Sequence, residues 1–323
     1  MNNSGFSFPV TNFGIDHYTL IVPNAKEVSD FHQHVLGYKL INTILVNAGS
    51  VPEGEFDMLN YVLGWPNNSK GVLVVTEGLT KDSIFHQFML KFGQGIHHIA
   101  FEVEAIAIVF QQLKDRGIKV TSETLLRDPL SGLKQFFISS EYCGIFIELI
   151  ERKSDNETKE SEGQGFFTKD NMSGLASTMK SYIGDSNLSD KRFSNSTVRA
   201  LDKKNYYHSK NRIDISTLAG ITLHTQQEAK AKQFLSEILG FEEIGNVMRN
   251  SNEPDKFIRF SAMSDLANDI IQAKLTLNSS NVECNKKILQ KLNLPFTENE
   301  WQLTLHAQYA GYPITLNHEN NNA

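Results

Sequence analysis

Apolar and polar residues alternate along residues 14–22 with the two-residue period of a β-strand, and β-branched and aromatic side chains dominate there. Apolar residues then recur at helical spacing over 25–35, and a glycine follows where the helix should end. A second strand is predicted over 39–46. The same succession of strand and helix returns at 95–103 and 106–115, so the chain contains an internal repeat.

The two copies align residue by residue at their first strands. Gly14-Ile15-Asp16-His17 falls on Gly95-Ile96-His97-His98. Each copy continues into two further predicted strands, which lie at 57–63 and 71–76 in the first copy and at 133–139 and 144–150 in the second. Two βαβββ modules therefore account for residues 12–152, and they predict an α+β fold built from paired βαβββ modules.

The composition changes after residue 152. Residues 153–212 are rich in charged residues, Ser and Asn, and we interpret them as a linker. Within this linker, apolar residues of the segment 166–183 recur at helical spacing, and this segment could either pack between the two domains or form a lid helix over the first domain. Residues 213–323 repeat the strand and helix pattern, which predicts a second domain of the same tandem fold.

Two histidines occupy equivalent places in the repeat, because His17 aligns with His98. Strand alternation predicts that His97 lies on the opposite face from His98. The third candidate ligand is Glu148, a carboxylate in an otherwise apolar strand, where burial is costly unless the group is paired or coordinated. Two imidazoles and one carboxylate suit Fe(II) or another divalent first-row metal and leave coordination positions open. The remaining candidate histidines, His32, His34 and His86, are expected at the surface.

The second half lacks this set of ligands. Aligning residues 220–223 on 14–17 puts Leu223 at the place of His17, Ala273 or Lys274 at the place of His98, and Thr315 at the place of Glu148. We therefore predict a metal-binding catalytic domain over 1–152, a linker with a possible lid helix over 153–212, and a degenerate, metal-free paired βαβββ domain over 213–323.

The charge of the chain and its cysteine content indicate which partners and which cellular compartment to expect. The chain has 323 residues and a net charge of −6, which gives no basic surface for nucleic acid or an anionic membrane. No apolar run approaches the roughly 20 residues of a membrane span, and the first residues do not resemble a signal peptide. Two cysteines, Cys143 and Cys284, fit a reduced environment better than a disulfide framework. We expect a cytoplasmic protein that binds a small molecule.

The repeat and its triad resemble the vicinal oxygen chelate superfamily, whose paired βαβββ modules surround a metal held by two histidines and a glutamate. Residues 83–100 and 146–152 are similar to the segments around the second histidine and the glutamate of 4-hydroxyphenylpyruvate dioxygenase and hydroxymandelate synthase. This resemblance implies Fe(II) held by His17, His98 and Glu148, a 2-oxo acid or similar bidentate chelator as substrate, and a dioxygenase reaction. In that family, however, the active domain is the C-terminal one.

A second resemblance points to methylmalonyl-CoA epimerase and its relative glyoxalase I, whose compact spacing of ligands the chain shares. Val51-Pro52-Glu53-Gly54 resembles the stretch that carries one base of the epimerase, which would make Glu53 catalytic. This alternative implies an isomerase or lyase with Co, Mn, Ni or Zn. A metal-free binding or resistance protein of the same fold remains a third alternative, and the tandem architecture is also compatible with a homodimer.

Overall fold

A computed structural model describes residues 14–66, 71–128, 132–152, 212–225, 227–261, 273–299 and 302–318. Every structural statement below concerns these residues. Of the predicted linker 153–212, only Arg212 belongs to the described ranges, so the lid helix expected at 166–183 lies outside them. Among the described residues, no helix is both long enough and apolar enough to cross a lipid bilayer.

The first half of the chain forms one sheet with three helices, two of which its repeat predicts. Its elements are β1 (Ile15–Ile21), α1 (Ala25–His34), β2 (Lys39–Val46), β3 (Met58–Gly64), β4 (Val72–Gly78), α2 (Ile84–Phe92), β5 (Gly95–Glu102), α3 (Ile106–Asp115), β6 (Leu126–Arg127), β7 (Lys134–Ile138) and β8 (Phe146–Glu151). Asn24 caps the N-terminus of helix α1, where its side chain accepts a hydrogen bond from the backbone N–H of Glu27. The chain leaves the helix through Gly37, whose φ of 79° favours glycine.

The second half repeats this plan. Its elements are β9 (Leu218–His224), α4 (Glu228–Glu237), β10 (Glu242–Ile244), β11 (Val247–Asn250), β12 (Glu253–Ser261), β13 (Ala273–Ser279), α5 (Val282–Lys291), β14 (Phe296–Asn299), β15 (Gln302–Leu305), α6 (Ala307–Ala310) and β16 (Ile314–His318). Strands β11 and β12 were not expected from the sequence. Charged and polar residues interrupt the apolar alternation there, so the pattern is weak.

Both sheets have eight strands in equivalent order: β2-β3-β4-β1-β5-β8-β7-β6 in the first and β10-β11-β12-β9-β13-β16-β15-β14 in the second. In each sheet, the first strands of the two modules lie side by side at the centre. Strand β1 runs antiparallel to β5, which runs parallel to β8. The three strands that carry the predicted metal ligands are therefore consecutive neighbours.

The two faces of the first sheet have different partners. Tyr18 and Leu20 project from β1 into one large apolar cluster, which also contains Ile221 and Leu223 of the second sheet. On the opposite face, Ile21 and Val74 belong to a separate cluster. Helix α2 contributes four residues to that second cluster: Ile84, Phe85, Phe88 and Phe92. We call this face of the first sheet its inner face.

Histidine and tyrosine side chains connect the two halves. The Tyr18 hydroxyl lies 3.1 Å from the Tyr38 hydroxyl and 3.4 Å from the Tyr312 hydroxyl. His32 Nε2 lies 2.8 Å from the same Tyr312 hydroxyl. The expectation that His32 lies at the surface is therefore wrong, because its side chain is fully buried. Helix α1 looks amphipathic from its sequence alone, but the second half packs over the turn that carries His32.

Candidate metal centre

Three side chains converge on the inner face of the first sheet. His17 of β1 and His98 of β5 bring their Nε2 atoms to 3.2 Å from each other. Glu148 of β8 places Oε2 3.0 Å from His17 Nε2 and 3.2 Å from His98 Nε2. The three ligating atoms all lie within 4.8 Å of one another, and each residue is about 1% exposed. The arrangement is a cluster that could hold a metal ion.

Each histidine of the cluster follows a β-bulge. The ladder between β1 and β5 has one extra residue in β1, Asp16, and one in β5, His97. The expectation that His97 lies on the opposite face from His98 is therefore wrong, because the bulge interrupts the alternation of side chains. His97 packs instead against Phe88 of α2 and Phe146 of β8, which both belong to the inner-face cluster.

The extra residues contact the far nitrogens of the two imidazoles. His17 Nδ1 donates to Asp16 Oδ1 at 2.7 Å, and His97 Nδ1 lies 2.7 Å from His98 Nδ1. A histidine whose Nδ1 is hydrogen-bonded in this way presents Nε2 as the ligating atom, with its ring orientation fixed. Asp16 and His97 occupy equivalent positions of the internal repeat, so each module supplies one ligand and, directly before it, the partner of that ligand.

Arg152 holds Asp16 in a bidentate ion pair. Arg152 Nε lies 2.6 Å from Asp16 Oδ2, and the terminal guanidinium nitrogen lies 2.7 Å from Oδ1. Burial alone would raise the pKa of Asp16, but hydrogen bonds and charge from Arg152 and His17 hold it well below its usual range. Asp16 is therefore ionised over the ordinary range of pH and can accept a hydrogen bond from His17 Nδ1.

The charges of the triad are coupled. Burial lowers the pKa of His17, but the charge of Glu148 and the hydrogen bond to Asp16 outweigh burial and raise it to about 9. Burial, opposed by Glu148, leaves the pKa of His98 lowered. The pKa of Glu148 is lowered despite its burial, because both histidines stabilise the carboxylate. A metal ion that binds here takes the place of the proton shared by His17 and Glu148.

The donor set fits a divalent metal. Glu148 Oε1 is buried and, among the described residues, has no hydrogen-bond partner. Two imidazole nitrogens and both oxygens of one carboxylate meet in one buried place. Burial of this carboxylate charge costs free energy unless a cation compensates it. Beside the triad, β4 offers apolar side chains on the inner face, since Val72 pairs with His17 and Val74 pairs with Thr19. The described residues therefore supply three candidate ligating side chains here.

Sequence reasoning missed Asp16 and Arg152 as part of the site. A signal for Asp16 was present, because it directly precedes a candidate ligand and aligns with His97. Glu53, the predicted base, lies exposed in the loop between β2 and β3, and no hydrogen bond or ion pair joins it to another described residue. The structure does not bring Glu53 into contact with the triad.

The strand ladders of the second sheet identify the equivalents of the triad. His17 pairs with Ala100, and the corresponding pair in the second sheet is Gly220 with Thr276. The alignment that put Leu223 at the place of His17 is therefore wrong, because Leu223 projects into the shared core.

The other two equivalents agree with the sequence alignment. Thr19 pairs with His98 as Thr222 pairs with Lys274, so Lys274 stands at the place of His98. Ala100 pairs with Glu148 as Thr276 pairs with Thr315, so Thr315 stands at the place of Glu148.

Comparison with known proteins places these features in one superfamily. The sequence profile of the Glyoxalase/Bleomycin resistance protein/Dioxygenase superfamily matches residues 14–149. "Uncharacterized protein YqjC" of Bacillus subtilis (strain 168) is 31% identical over 146 residues, which cover 45% of this chain and 96% of that protein.

Two relatives correspond to the two resemblances seen in the sequence. 4-hydroxyphenylpyruvate dioxygenase of Yarrowia lipolytica is 27% identical over 158 residues, 46% of this chain but only 38% of the dioxygenase. Mitochondrial methylmalonyl-CoA epimerase of Bos taurus is 28% identical over 144 residues, 44% of this chain and 76% of the epimerase. The crystal structure of methylmalonyl-CoA epimerase from Mycobacterium tuberculosis shares 23% identity and a TM-score of 0.38, covering 47% of this chain and 94% of the epimerase chain.

Proposed function

This chain belongs to the Glyoxalase/Bleomycin resistance protein/Dioxygenase superfamily, and on that premise we propose that it is a metal-dependent enzyme whose ligands are His17, His98 and Glu148. The observation that carries the proposal is the convergence of three ligating atoms within 4.8 Å at a fully buried place. The unpartnered Oε1 of Glu148 supports it, because a cation at this place would satisfy that oxygen.

The finer proposal is a non-haem Fe(II) dioxygenase that acts on a 2-oxo acid or a similar chelating small molecule. Two histidines and one carboxylate are the ligand set of such enzymes, and a three-residue set leaves positions for a bidentate substrate. When bound, a first-row ion polarises a chelating oxygen and, if it is iron, supplies redox chemistry with oxygen. The apolar side chains of Val72 and Val74 favour this reading because neither can supply a fourth ligand.

The surrounding residues prepare the site for this chemistry. Asp16 and His97 fix the rings of the two histidines, which reduces the reorganisation needed when a ligand binds. The rings of Phe137 and Phe146 contact His98 and His97 at centroid distances of 5.3 and 5.0 Å. This apolar lining keeps water away from the reacting groups, which strengthens electrostatic interactions within the site.

The test is metal content of the purified chain, followed by anaerobic reconstitution with Fe(II) and oxygen uptake with a panel of 2-oxo acids. We expect one equivalent of metal in the wild type and none in His98→Ala, with binding retained in the matched control His86→Ala. Oxygen uptake that depends on a 2-oxo acid would support the dioxygenase. A chain that binds no first-row metal under any of these conditions would refute the proposal and favour a metal-free binding protein.

An isomerase or lyase is the second candidate, because this chain covers 76% of the bovine epimerase but only 38% of the dioxygenase. In that case the metal would be Co, Mn, Ni or Zn, and Glu53 would remove a proton from the carbon next to the chelated carbonyl. The same reconstituted protein distinguishes the two. The isomerase would be favoured if the wild type takes up no oxygen but exchanges a substrate proton for solvent deuterium, and if Glu53→Gln no longer catalyses this exchange.

A further inference from the structure

The second sheet carries a row of polar side chains at the place that corresponds to the metal centre. Arg259 of β12, Thr222 of β9 and Lys274 of β13 are direct partners across three adjacent strands. Laterally paired residues project from the same face of a sheet. The neighbouring residues Ile221 and Leu223 project into the shared core, so this row lies on the face directed away from that core.

The two cations of the row have no carboxylate partner in the part of the chain that the structure describes. Among the residues that the structure describes, neither Arg259 nor Lys274 forms an ion pair with a carboxylate, although both are half-buried. Burial and the nearby charge of Arg259 lower the pKa of Lys274. The Nε atom of Arg259 is buried, and no described residue offers it a hydrogen-bond acceptor. Two half-buried cations side by side, one with an unsatisfied N–H group, cost folding free energy unless a hydrogen-bond acceptor binds between them.

Two other lysines of the same half, Lys232 and Lys286, have acidic partners. Lys232 pairs with Glu228 at 2.9 Å and with Glu243 at 2.8 Å. Lys286 pairs with Glu298 at 2.7 Å. Among the described residues, the absence of a carboxylate partner for Arg259 and Lys274 therefore does not reflect a shortage of acidic residues in the second half.

Hydroxyl groups and an aromatic ring complete the surroundings of the row. Thr276, two residues after Lys274, pairs with Thr315, whose hydroxyl lies 3.0 Å from that of Thr304. The ring of Phe257 lies close over Gly220, where a Cβ atom would approach it to 2.5 Å. The Arg259 guanidinium lies 5.2 Å from the centre of that ring, and this cation–π contact orients the guanidinium. Threonine hydroxyls can donate hydrogen bonds to an oxygen beside the two cations.

The equivalent places of the two sheets thus have opposite chemistry. In the first sheet, His98 and Glu148 present a nitrogen lone pair and carboxylate oxygens, which suit a cation. In the second, Lys274 and Thr315 stand at those two places and present donors. We propose that this face, the row Arg259, Thr222 and Lys274 with the adjacent threonines, binds a small oxyanion, either a carboxylate or a phosphate.

The experiment is titration of the full-length, metal-free chain with inorganic phosphate and, separately, with acetate, at constant ionic strength maintained with sodium chloride. We expect saturable binding of at least one of the two anions. Lys274→Met should weaken this binding at least tenfold, and Arg259→Met should do the same. Lys274→Arg, which retains the charge, should bind the anion, and Lys286→Met serves as the control for loss of a positive charge elsewhere in the second half.

A second measurement separates loss of binding from loss of folding. In buffer without either anion, Lys274→Met should melt at the same temperature as the wild type or higher, because the repulsion between two unpaired cations is removed. The outcome in which phosphate and acetate both fail to bind would overturn the proposal. Binding that persists in Lys274→Met and Arg259→Met would also overturn it. Binding that disappears in His98→Ala would assign the anion to the first sheet, whereas binding in that variant supports an independent site.

Discussion

At the scale of single residues, Asp16 and His97 make equivalent contacts in the two modules, although one is a carboxylate and the other an imidazole. Each is the extra residue of a bulge, and each contacts the Nδ1 atom of the ligand that follows it. The pKa of His17 is raised, because the charge of Glu148 and the hydrogen bond to Asp16 outweigh burial, whereas burial leaves the pKa of His98 lowered. The two imidazoles of the centre are therefore chemically unequal.

Removing the Asp16 carboxylate should weaken metal binding without removing a ligand. In Asp16→Asn, the Nδ1–H of His17 loses its charged acceptor, and we expect metal affinity to fall about 10- to 100-fold. Competition with a chelator of known affinity measures the change. Asp30→Asn, which removes a carboxylate paired with Lys26 away from the centre, is the matched control and should bind like the wild type. Unchanged affinity in Asp16→Asn would show that the bulge contact has no part in holding the metal.

Among the helices and strands, helix α2 decides how the inner face is covered. Its phenylalanines form a stripe that packs against β4 and the triad region, and the ring centre of Phe88 lies 4.7 Å from that of His97. The helix approaches β4 most closely at Gly78, where a Cβ atom would lie 2.3 Å from the backbone nitrogen of His86. A side chain at this position cannot be accommodated unless the helix moves.

We therefore expect Gly78→Ala to displace α2 and disturb the metal centre at a distance. Overpacking of this kind costs about 1–3 kcal/mol of unfolding free energy. Urea unfolding gives that change, and chelator competition shows whether metal affinity falls with it. Gly14→Ala is the control, since its added carbon would meet Glu253 at an ordinary contact distance of 3.7 Å. Equal stability of the two variants would contradict the close approach of the helix to β4.

In the molecule as a whole, the two halves meet through a shared apolar core and a buried polar cluster. His32 Nδ1 donates to the carbonyl of Val28, so its Nε2 accepts from the Tyr312 hydroxyl. Burial lowers the pKa of His32 from 6.5 to about 4, with the Val28 hydrogen bond opposing in part. The interface between the halves therefore requires a neutral histidine.

This requirement makes folding sensitive to acid. Between pH 6.5 and about 4, the unfolded chain binds a proton at His32 that the folded chain does not, so stability is lost as the pH falls through this window. The loss reaches about 3 kcal/mol, since one unit of pKa difference corresponds to about 1.4 kcal/mol.

The change that tests this is His32→Gln, which should be less stable at pH 7 but lose less stability on acidification. Unfolding free energies measured at pH 7 and pH 4.5 give the comparison, with exposed His306→Gln as the control. A parallel loss in the wild type and in His32→Gln would contradict the buried, neutral state of His32.

Much of the fold follows from local patterns. The apolar spacing predicts helix α1 over 25–35, and the helix lies at Ala25–His34; the strand predicted over 57–63 lies at Met58–Gly64. The alignment of His17 on His98 also places two candidate ligands on equivalent strands, which are adjacent at the centre of the sheet. These predictions succeed because apolar periodicity reports burial of one face, and a repeated module repeats its burial.

Short-range patterns in the chain were thus enough to establish the tandem module and to select the three residues of the candidate centre. They could not show that Asp16 and His97 turn toward the histidines, that Gly220 stands at the place of His17, or that Arg259 and Lys274 lie in one row, all of which follow from tertiary contacts. The reason is physical. Alternation is a property of neighbouring residues, whereas a bulge, a register and a lateral row depend on which distant strand supplies the hydrogen bonds.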